Sequence, residues 1–456
     1  MRGIFTNVLH AIGDTPLVQL NKVVGRHDAR VLAKLEFMNP GGSIKDRMAL
    51  HIVEQAERRG LLKPGSVIVE NTSGNTGVGV AMAAAVKGYK CIFTMPDKMS
   101  EEKVRRLKAF GADVVVTPTA VPADSPESYY ETAKRIARET PHSFMINQYH
   151  NKENIEAHYL STGPEIWEQT DGNFTVLVGG LGTGGTMSGT SKFCKEKNPR
   201  IRTVGVDPEG SIYYDMFHTG KPCAPHTYKV EGIGEDMVCG ALEFSHIDDV
   251  IQVNDRECFQ MARRLTREEG IFAGGSSGGA VHVAAGLARE LGRNATIVVI
   301  LPDHGAIYLS KFFNDDWMKD NGFFEPEPGA ASVRDILRGK SHQLHTAAPS
   351  ESLGHVILRL KREGISQMPV LAESGEPIGM VHELDLLNAI VEGSHSRNDT
   401  IEGLCKPLEG VINPEASLDQ LRAIFAQDNV AVVVSDAKVV GIITKIDLID
   451  YLSRRG

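Results

Sequence analysis

Apolar and polar residues alternate through the first 320 positions in a pattern that predicts strands separated by helices. Residues 66–70 and 90–95 are β-branched or apolar runs that predict strands, and residues 77–87 between them predict a small-residue helix. Strands separated by helices of roughly ten to fifteen residues favour parallel sheet, so the pattern predicts an α/β fold with helices on both sheet faces. Further strands are predicted at residues 112–117, 175–178, 203–206 and 296–301.

An acidic segment with prolines and glycines separates this region from an internal repeat. Residues 379–387 match residues 441–449, and a predicted helix and strand precede each copy. One copy could not bury its own apolar face, so we expect the two copies to pack together. The predicted organisation is a first domain at 1–320, a linker at 321–332, and repeats at 333–392 and 400–456.

Composition restricts the class of protein. The chain of 456 residues is 41% hydrophobic, which is enough for a large core, and its net charge of −9 argues against a nucleic-acid partner or a basic membrane-binding surface. Its apolar stretches fall far short of the roughly 20 residues that span a bilayer, and its first residues do not resemble a secretion signal. The six cysteines form no Cys-x-x-Cys pair, so we expect a cytoplasmic protein with no metal site.

A glycine-flanked lysine is the first candidate for chemistry. Residues 39–47 read Asn-Pro-Gly-Gly-Ser-Ile-Lys-Asp-Arg and precede a predicted helix that Ser43 and Asp46 would cap and Gly60 would end. Lys45 then lies at the positive end of the helix dipole, which lowers the pKa of its amine and favours Schiff-base chemistry. The alternative is a solvated lysine at a helix start. The helical spacing comes from Ile44, Met48, Ile52, Val53 and Ala56.

Three further loops, at residues 71–77, 179–186 and 274–279, each precede a predicted helix and are rich in glycine and hydroxyl groups. Such loops suit a carboxylate or a phosphate, although each could also be only a polar helix cap. The second loop resembles a dinucleotide fingerprint but lacks its final glycine or alanine and an acidic partner, so a single phosphate is favoured over NAD. Together the loops indicate one anionic cofactor and one anionic substrate.

The four loops together resemble the fold-type II pyridoxal-phosphate enzymes, in particular the cysteine synthase and cystathionine β-synthase family, over residues 3–320. The resemblance implies a two-lobed parallel-sheet catalytic unit, with Lys45 carrying pyridoxal 5'-phosphate, Asn75 contacting its ring hydroxyl and Ser276 its ring nitrogen. It implies that the cofactor is bound by Lys45, Asn75, Gly182, Thr183, Gly184, Gly185, Thr186 and Ser276. It implies that the substrate is bound by Thr72, Ser73, Thr76, Gln148, Tyr149 and Gly232.

The serine at position 276 has a chemical consequence within this resemblance. A neutral hydroxyl cannot keep the ring nitrogen protonated as an aspartate would, so the ring is a weaker electron sink, which suits β-elimination and replacement. Lys45, as a free amine, would remove the α-proton, the β-group would leave, and a thiol would add. The protein supplies orientation and electrostatics, and the cofactor carries the carbanion.

The repeats resemble the tandem CBS domains (the Bateman module), which plain cysteine synthases lack. Tyr149 after Gln148 and the segment 230–234 also favour the branch that condenses L-serine, or an activated serine, with L-homocysteine to give L-cystathionine. Glu235 departs from the tyrosine of animal and fungal members, and residues 302–305 depart from an arginine-containing version. Because the catalytic pattern begins by Phe5, the resemblance implies a haem-free, bacterial-type lyase, which we expect to be a homodimer or higher homo-oligomer.

The residues alone leave three alternative functions open. A cysteine synthase would use O-acetylserine and sulfide, a serine dehydratase would let water end the reaction, and a non-catalytic nucleotide sensor would need a decayed first domain. The intact Lys45, Asn75 and Ser276 speak against decay.

A regulatory ligand is also expected at the repeats. Thr444 and Asp447 keep the pattern that meets the phosphate and ribose of an adenosine ligand, such as S-adenosylmethionine, AMP or ATP. The first copy keeps Asp385 but has His382 in place of the threonine, so weaker binding is expected there. The alternative is that these residues only cap the helix at Leu448.

Overall fold

The structure is a computed structural model that describes residues 4–72, 74–97, 99, 101–122, 125–324, 332–338, 344–372, 374–427, 429–435 and 438–453. It divides into two compact units, Met1–Phe324 and Glu325–Gly456. Within the described ranges, none of the helices is both long and apolar enough to cross a membrane.

The first unit is built from ten strands and eleven helices in the described part of the chain. The strands are β1 Leu17–Gln19, β2 Arg30–Leu35, β3 Val67–Asn71, β4 Lys90–Pro96, β5 Asp113–Thr117, β6 Ser143–Met145, β7 Val176–Gly180, β8 Arg202–Pro208, β9 Asp249–Val253 and β10 Thr296–Leu301. The helices are α1 Lys45–Arg58, α2 Asn75–Lys87, α3 Glu101–Ala109, α4 Tyr129–Glu139, α5 Glu153–Leu160, α6 Thr162–Gln169, α7 Gly185–Lys197, α8 Tyr213–Thr219, α9 Asp255–Arg264, α10 Gly275–Leu291 and α11 Asp315–Asp320.

Two sheets organise this unit, as the α/β pattern predicts. One has the order β1-β2-β10-β7-β8-β9 and the other the order β5-β4-β3-β6, and every pairing is parallel except that of β1 with β2. Central strands such as β10 are almost wholly buried, which is typical of parallel sheets covered by helices on both faces. In such a fold the loops after the strands line a common crevice, where ligands bind.

Helix α1 begins at Lys45, which therefore lies in the first turn as predicted, but the predicted capping box is wrong. The Ser43 hydroxyl accepts a hydrogen bond from the Lys45 N–H at 3.2 Å, whereas the Asp46 carboxylate accepts one from the Gly41 N–H at 2.6 Å. The chain turns back at the glycine pair and brings the Gly41 N–H to Asp46, so this carboxylate closes the loop. The helix ends before Gly60, whose φ of +70° suits a glycine.

The second unit holds two copies of a helix and strand arrangement. Its helices are α12 Val333–Arg338, α13 Leu353–Glu363, α14 Glu383–Val391, α15 Leu418–Ala426 and α16 Lys445–Ser453. Its strands are β11 Gln367–Leu371, β12 Pro377–His382, β13 Val411–Ile412, β14 Ala431–Ser435 and β15 Lys438–Ile443, in sheets β11-β12 and β13-β14-β15.

Each repeat contacts the first segment of the other repeat. Val333 and Ile336 of α12 pack in the core of the second repeat, and the Val333 N–H donates to the Ala416 carbonyl. Lys406, near the start of the second repeat, pairs with Met380 of the first. The two copies are therefore interdependent, as expected for units that cannot bury an apolar face alone.

Candidate active site

The lysine loop is fastened to the end of the central strand β10. The Ile44 N–H donates to the Pro302 carbonyl at 2.8 Å, and Ser43 forms a bridge with Asp303. On its other side α1 packs closely against α2, where a Cβ at Gly79 would lie 3.1 Å from the Lys45 carbonyl oxygen. Lys45 thus starts its helix at the crevice between the two sheets.

The Lys45 side chain is partly buried, and the charges of two carboxyl groups act on its amine. Burial lowers the pKa of its amine, and the charges of Glu235 and Asp303 oppose that shift in part. A lowered pKa increases the fraction of unprotonated amine, which is the form that reacts with a carbonyl carbon and accepts a proton.

Asn75 begins helix α2 and meets Asp303. Its side-chain amide donates to the Asp303 carboxylate at 2.8 Å, and the Tyr308 hydroxyl donates to the same oxygen at 2.6 Å. Burial raises the pKa of Asp303, and these two hydrogen bonds oppose the rise. This hydrogen bond fixes the Asn75 side chain. Asp303 also joins the predicted loops at residues 71–77 and 274–279, because its carbonyl accepts a hydrogen bond from the Gly274 N–H.

The loop after β3 is organised around two threonines and a glutamine. The Thr72 hydroxyl accepts hydrogen bonds from the N–H groups of Gly74 and Gly77, both at 3.1 Å, which orders the turn into α2. The Thr76 hydroxyl donates to the Gln148 side-chain oxygen at 2.6 Å, and both residues are buried. Ser73, which was also predicted here, lies outside the described residues.

Tyr149, which follows Gln148, closes this side of the crevice. Its ring packs edge-on against Tyr130, and its hydroxyl lies 3.4 Å from that of Tyr129. Burial raises the pKa of Tyr149 well above its ordinary value, so the phenol remains neutral.

The glycine loop between β7 and α7 has no room for side chains. A Cβ at Gly182 would lie 2.8 Å from the Gly232 carbonyl oxygen, one at Gly184 would lie 2.4 Å from the Leu242 backbone, and one at Gly185 would lie 2.1 Å from the Asn154 side-chain oxygen. Gly184 also has a φ of +92°. The loop therefore presents bare backbone at a helix N-terminus, which is the arrangement that binds a phosphate.

Two threonines of this loop are held from helix α5. The Asn154 amide donates to the Thr183 hydroxyl at 3.0 Å, and the His158 ring lies 3.2 Å from the Thr186 hydroxyl. Burial lowers the pKa of His158 well below its ordinary value, with the charge of Lys45 adding to the effect, so the ring is neutral. A neutral ring orients the Thr186 hydroxyl without adding a charge.

Ser276 lies in the first turn of α10, beside Gly232. Its hydroxyl and that of Ser277 are buried and have no hydrogen-bond partner among the residues that the structure describes. A Cβ at Gly232 would lie 3.8 Å from the Ser276 hydroxyl, so the two predicted residues border the same space. A buried hydroxyl without a partner is costly, and a ring nitrogen placed there would satisfy it.

These features fit pyridoxal phosphate. The bare-backbone glycine loop with Thr183 and Thr186 suits its phosphate, the unpartnered Ser276 hydroxyl suits its ring nitrogen, and the Lys45 amine suits its carbonyl carbon. Apart from Ser73, every predicted residue of this site lies in the crevice of the first unit or packs around it.

Sequence reasoning missed several residues that shape the site. From the sequence, Asp303 is only part of a segment, residues 302–305, that departs from the family pattern. Its position just after β10, at the carboxyl end of a parallel strand, is the signal that could have marked it as a site residue. His158 and Asn154 lie in an ordinary helical pattern that gives no signal. Glu70 is buried in β3, where it accepts hydrogen bonds from the N–H groups of Asn147 and Gln148 at 2.7 and 3.2 Å.

In the second unit, the Thr444 N–H and hydroxyl both donate to the Asp447 carboxylate, at 2.7 and 2.6 Å, at the start of α16. Asp385 of the first repeat pairs with Lys406 at 2.6 Å, beside a cavity of about 220 Å³. Thr444 and Asp447 thus form a helix cap, which agrees with the structural alternative for these residues.

Comparisons with known proteins bear on both units. Residues 8–303 match the family model described as pyridoxal-phosphate dependent enzyme, and residues 333–392 and 407–454 match the CBS domain. A cystathionine beta-synthase of Oryctolagus cuniculus is 41% identical over 479 residues, covering 99% of this chain and 86% of that protein. A cysteine synthase of Staphylococcus aureus is 44% identical over 305 residues, covering 67% of this chain and 95% of that protein.

A solved structure agrees with these relatives. The O-acetylserine dependent cystathionine beta-synthase of Helicobacter pylori superposes with a TM-score of 0.62 at 35% identity, covering 68% of this chain and 99% of that one. The predicted fold-type II catalytic unit, its cofactor and the tandem CBS domains are thereby confirmed. The chain belongs to the pyridoxal-phosphate dependent enzymes, as a member of the cystathionine β-synthase type that carries a CBS domain pair.

Proposed function

We propose that this enzyme forms L-cystathionine by β-replacement, condensing L-serine or an activated serine with L-homocysteine. The observation that carries the proposal is the Lys45 amine, whose pKa is lowered by burial at the meeting point of the predicted cofactor and substrate loops. The match to a cystathionine beta-synthase along both units supports homocysteine as the acceptor.

The proposed roles follow from the contacts of each side chain. Pyridoxal phosphate, when bound, disperses the negative charge that develops at the substrate α-carbon. Lys45 accepts the α-proton as a free amine and returns it at the end of the reaction. Ser276 presents a neutral hydroxyl to the ring nitrogen, and Asn75, held by Asp303, presents its amide to the ring hydroxyl.

Substrate binding is assigned to the opposite side of the crevice. Thr72, Thr76 and Gln148 hold the substrate carboxylate, since their polar atoms gather at the N-terminus of α2. Gly232 leaves space beside Ser276, and Tyr149 closes the crevice with a neutral phenol. Removal of water from this space strengthens the hydrogen bonds that position the substrate.

A second candidate is a cysteine synthase that uses O-acetylserine and sulfide. It is favoured by the relative from Staphylococcus aureus, which bears that name and is 44% identical over the catalytic unit. The solved relative from Helicobacter pylori supports an activated serine as a further donor.

The test is a competition of substrates on the purified enzyme loaded with pyridoxal phosphate. Homocysteine is offered with serine or with O-acetylserine, sulfide is offered with O-acetylserine, and products are identified by mass spectrometry. Cystathionine as the fastest-formed product supports the proposal. Cysteine from sulfide with no cystathionine from either donor would replace it with the cysteine synthase assignment.

The CBS pair is proposed to bind an adenosine-containing ligand. Thr444 and Asp447 of the second repeat are the principal contacts, and Asp385 of the first repeat is a weaker one. Such a ligand alters activity only if it prefers one arrangement of the repeats over another.

A further inference from the structure

Helix α5 contacts the glycine loop through two side chains that lie one turn apart. Asn154 and His158 are both fully buried, and each forms a hydrogen bond with one threonine of the loop, Asn154 with Thr183 and His158 with Thr186. Each threonine hydroxyl has a single proton, which it either donates to α5 or keeps for a ligand of the loop. The protons on the Asn154 amide and the His158 ring decide which of these holds.

The orientation of the Asn154 amide is fixed by a backbone carbonyl. Its nitrogen lies 2.9 Å from the Gln148 carbonyl oxygen and 3.0 Å from the Thr183 hydroxyl oxygen. A carbonyl oxygen can only accept a hydrogen bond, so the nitrogen of the amide, and not its oxygen, lies on this side. Both amide protons are then used, one on each partner. Thr183 therefore accepts a hydrogen bond from Asn154, and its own proton remains for another acceptor.

The His158 ring lies between two hydroxyl groups. Its Nδ1 is 2.9 Å from the hydroxyl of Thr162, the first residue of α6, and its Nε2 is 3.2 Å from the Thr186 hydroxyl. Burial lowers the pKa of His158 well below its ordinary value, and the charge of Lys45 adds to the effect, so the neutral ring has one proton. One ring nitrogen therefore donates a hydrogen bond and the other accepts one.

The two hydroxyl groups select the position of the ring proton. With the proton on Nδ1, Thr186 would donate to Nε2, and the proton of the buried Thr162 hydroxyl would have no acceptor within the described residues. With the proton on Nε2, Thr162 donates to Nδ1 and the ring donates to Thr186. A buried donor without a partner is costly, so the proton lies on Nε2. The proton of Thr186, like that of Thr183, then remains for another acceptor.

The glycine loop also has no charged residue of its own. Residues 182–186 are glycines and threonines, without a lysine or an arginine. A phosphate in this loop must therefore be neutralised by hydrogen-bond donors, namely the backbone N–H groups at the start of α7 and the two hydroxyls. Hydrogen bonds to an ionised acceptor are stronger than those between neutral groups, so the direction of the two hydroxyl protons matters here.

We propose that Asn154 and His158 are positioning residues that direct the hydroxyl protons of Thr183 and Thr186 towards the cofactor phosphate. Each residue donates an N–H to a threonine oxygen, so each threonine keeps its O–H for a phosphate oxygen. A hydroxyl that donated its proton to α5 would present only lone pairs to the phosphate and would repel it. These roles rest on the cofactor contacts of the proposed function, and they do not depend on which amino-acid donor or thiol the enzyme uses.

The first test is a double-mutant cycle on cofactor affinity, measured by titrating the apoenzyme with pyridoxal phosphate and following visible absorption. His158→Leu removes the ring N–H and should lower the affinity by roughly tenfold, because a hydrogen bond to a charged group is lost. His158→Gln keeps an N–H close to the position of Nε2 and should restore most of that affinity. In a Thr186→Val background there is no hydroxyl to orient, so His158→Leu should change the affinity by less than about twofold.

The second pair is tested in the same way. The losses of affinity in Asn154→Leu and Thr183→Val should overlap in the double variant, because both changes remove the same hydroxyl donor from the phosphate. Losses that add in full in both cycles would mean that α5 only supports the fold, and would overturn the proposed roles.

Tyr159→Phe is the matched control. Tyr159 follows His158 on α5, and its hydroxyl donates to Glu196 of α7 at 2.6 Å on the exposed side of the same two helices. The change removes a hydrogen bond between α5 and α7 that is remote from the glycine loop, so cofactor affinity should stay within about twofold. A loss equal to that of His158→Leu would show that general packing of the two helices, and not the threonine protons, sets the affinity.

Neutron diffraction from the unmodified holoenzyme reads the proton positions directly and needs no variant to fold. It should show deuterium on Nε2 of His158 and none on Nδ1, with the hydroxyl deuterium atoms of Thr183 and Thr186 directed at the phosphate. Deuterium on Nδ1, or a Thr186 hydroxyl that donates to the ring, would overturn the inference. None of these results bears on the reaction itself, because cystathionine formation by the unmodified enzyme tests the proposed function separately.

Discussion

Replacing Gly185 by alanine tests whether the glycine loop is a bare-backbone cradle. The new Cβ would lie 2.1 Å from the Asn154 side-chain oxygen, far inside van der Waals contact. Asn154 is buried, and its amide donates to the Gln148 carbonyl at 2.9 Å and to the Thr183 hydroxyl at 3.0 Å. To make room, this side chain must move and both hydrogen bonds must lengthen or break.

The expected cost follows from these contacts. Overpacking a buried site costs about 1–3 kcal/mol. A buried amide left without its partners costs about 1–3 kcal/mol more. The free energy of unfolding of the catalytic unit should therefore fall by about 2–6 kcal/mol. Because Thr183 loses its support, the affinity for pyridoxal phosphate should fall by at least about tenfold, equivalent to about 1.4 kcal/mol.

Gly286→Ala is the matched control. Gly286 also lies in a helix of the catalytic unit, and a Cβ there would meet no atom within 4 Å. This change should stabilise the unit by up to about 1 kcal/mol through helix propensity. Urea unfolding followed by circular dichroism, with cofactor binding followed by visible absorption, distinguishes the two. Equal stabilities and cofactor affinities in both variants would refute the cradle.

Substitutions at four further positions test the proposed roles of residues in both units. Lys45→Ala should abolish turnover and the visible absorption of the bound cofactor, and a variant with normal turnover would remove Lys45 from its role. Ser276→Ala should lower β-replacement by at least roughly tenfold, and Ser276→Asp should increase side reactions; full activity in both would point to another hydroxyl. Burial opposes ionisation of Glu165, but hydrogen bonds from Arg47 and its charge lower the pKa of that carboxyl to about 2. Its contribution to stability is therefore present above an unfolded pKa of about 4.5 and lost as pH falls towards 2, so Glu165→Gln should flatten that part of a pH–unfolding curve, and an unchanged curve would contradict this. Asp447→Ala should abolish the calorimetric heat of S-adenosylmethionine, AMP or ATP binding, and equal binding by the variant would leave these residues as a helix cap.

The fold followed from the sequence wherever a strand is a long uninterrupted run of apolar or β-branched residues. The runs predicted at residues 175–178 and 296–301 are present as β7 and β10, because buried parallel strands are apolar throughout. Strand β2 was missed because it carries Lys34, which is fully buried. Its ammonium donates to the Thr15 carbonyl at 2.7 Å and to Glu165 at 2.8 Å. A single sequence does not reveal a partner 131 positions away.

The site was predicted through its loops rather than through its supporting residues. Glycine and hydroxyl patterns at helix starts mark Lys45, the glycine loop and Ser276, because local backbone geometry demands them. Asp303 and His158 act through contacts made only after the chain folds, so no local pattern marks them. The prediction of a capping box at Asp46 was wrong because this carboxylate accepts a hydrogen bond from the Gly41 N–H instead.

The most direct test of the account is to identify the residue that carries the cofactor. Purified enzyme is loaded with pyridoxal phosphate, reduced with borohydride, digested and analysed by peptide mass spectrometry. We expect one phosphopyridoxyl group, attached to Lys45 in the peptide that follows Asn39-Pro-Gly-Gly. Attachment to another lysine, or a fully loaded enzyme with no modified lysine, would contradict it.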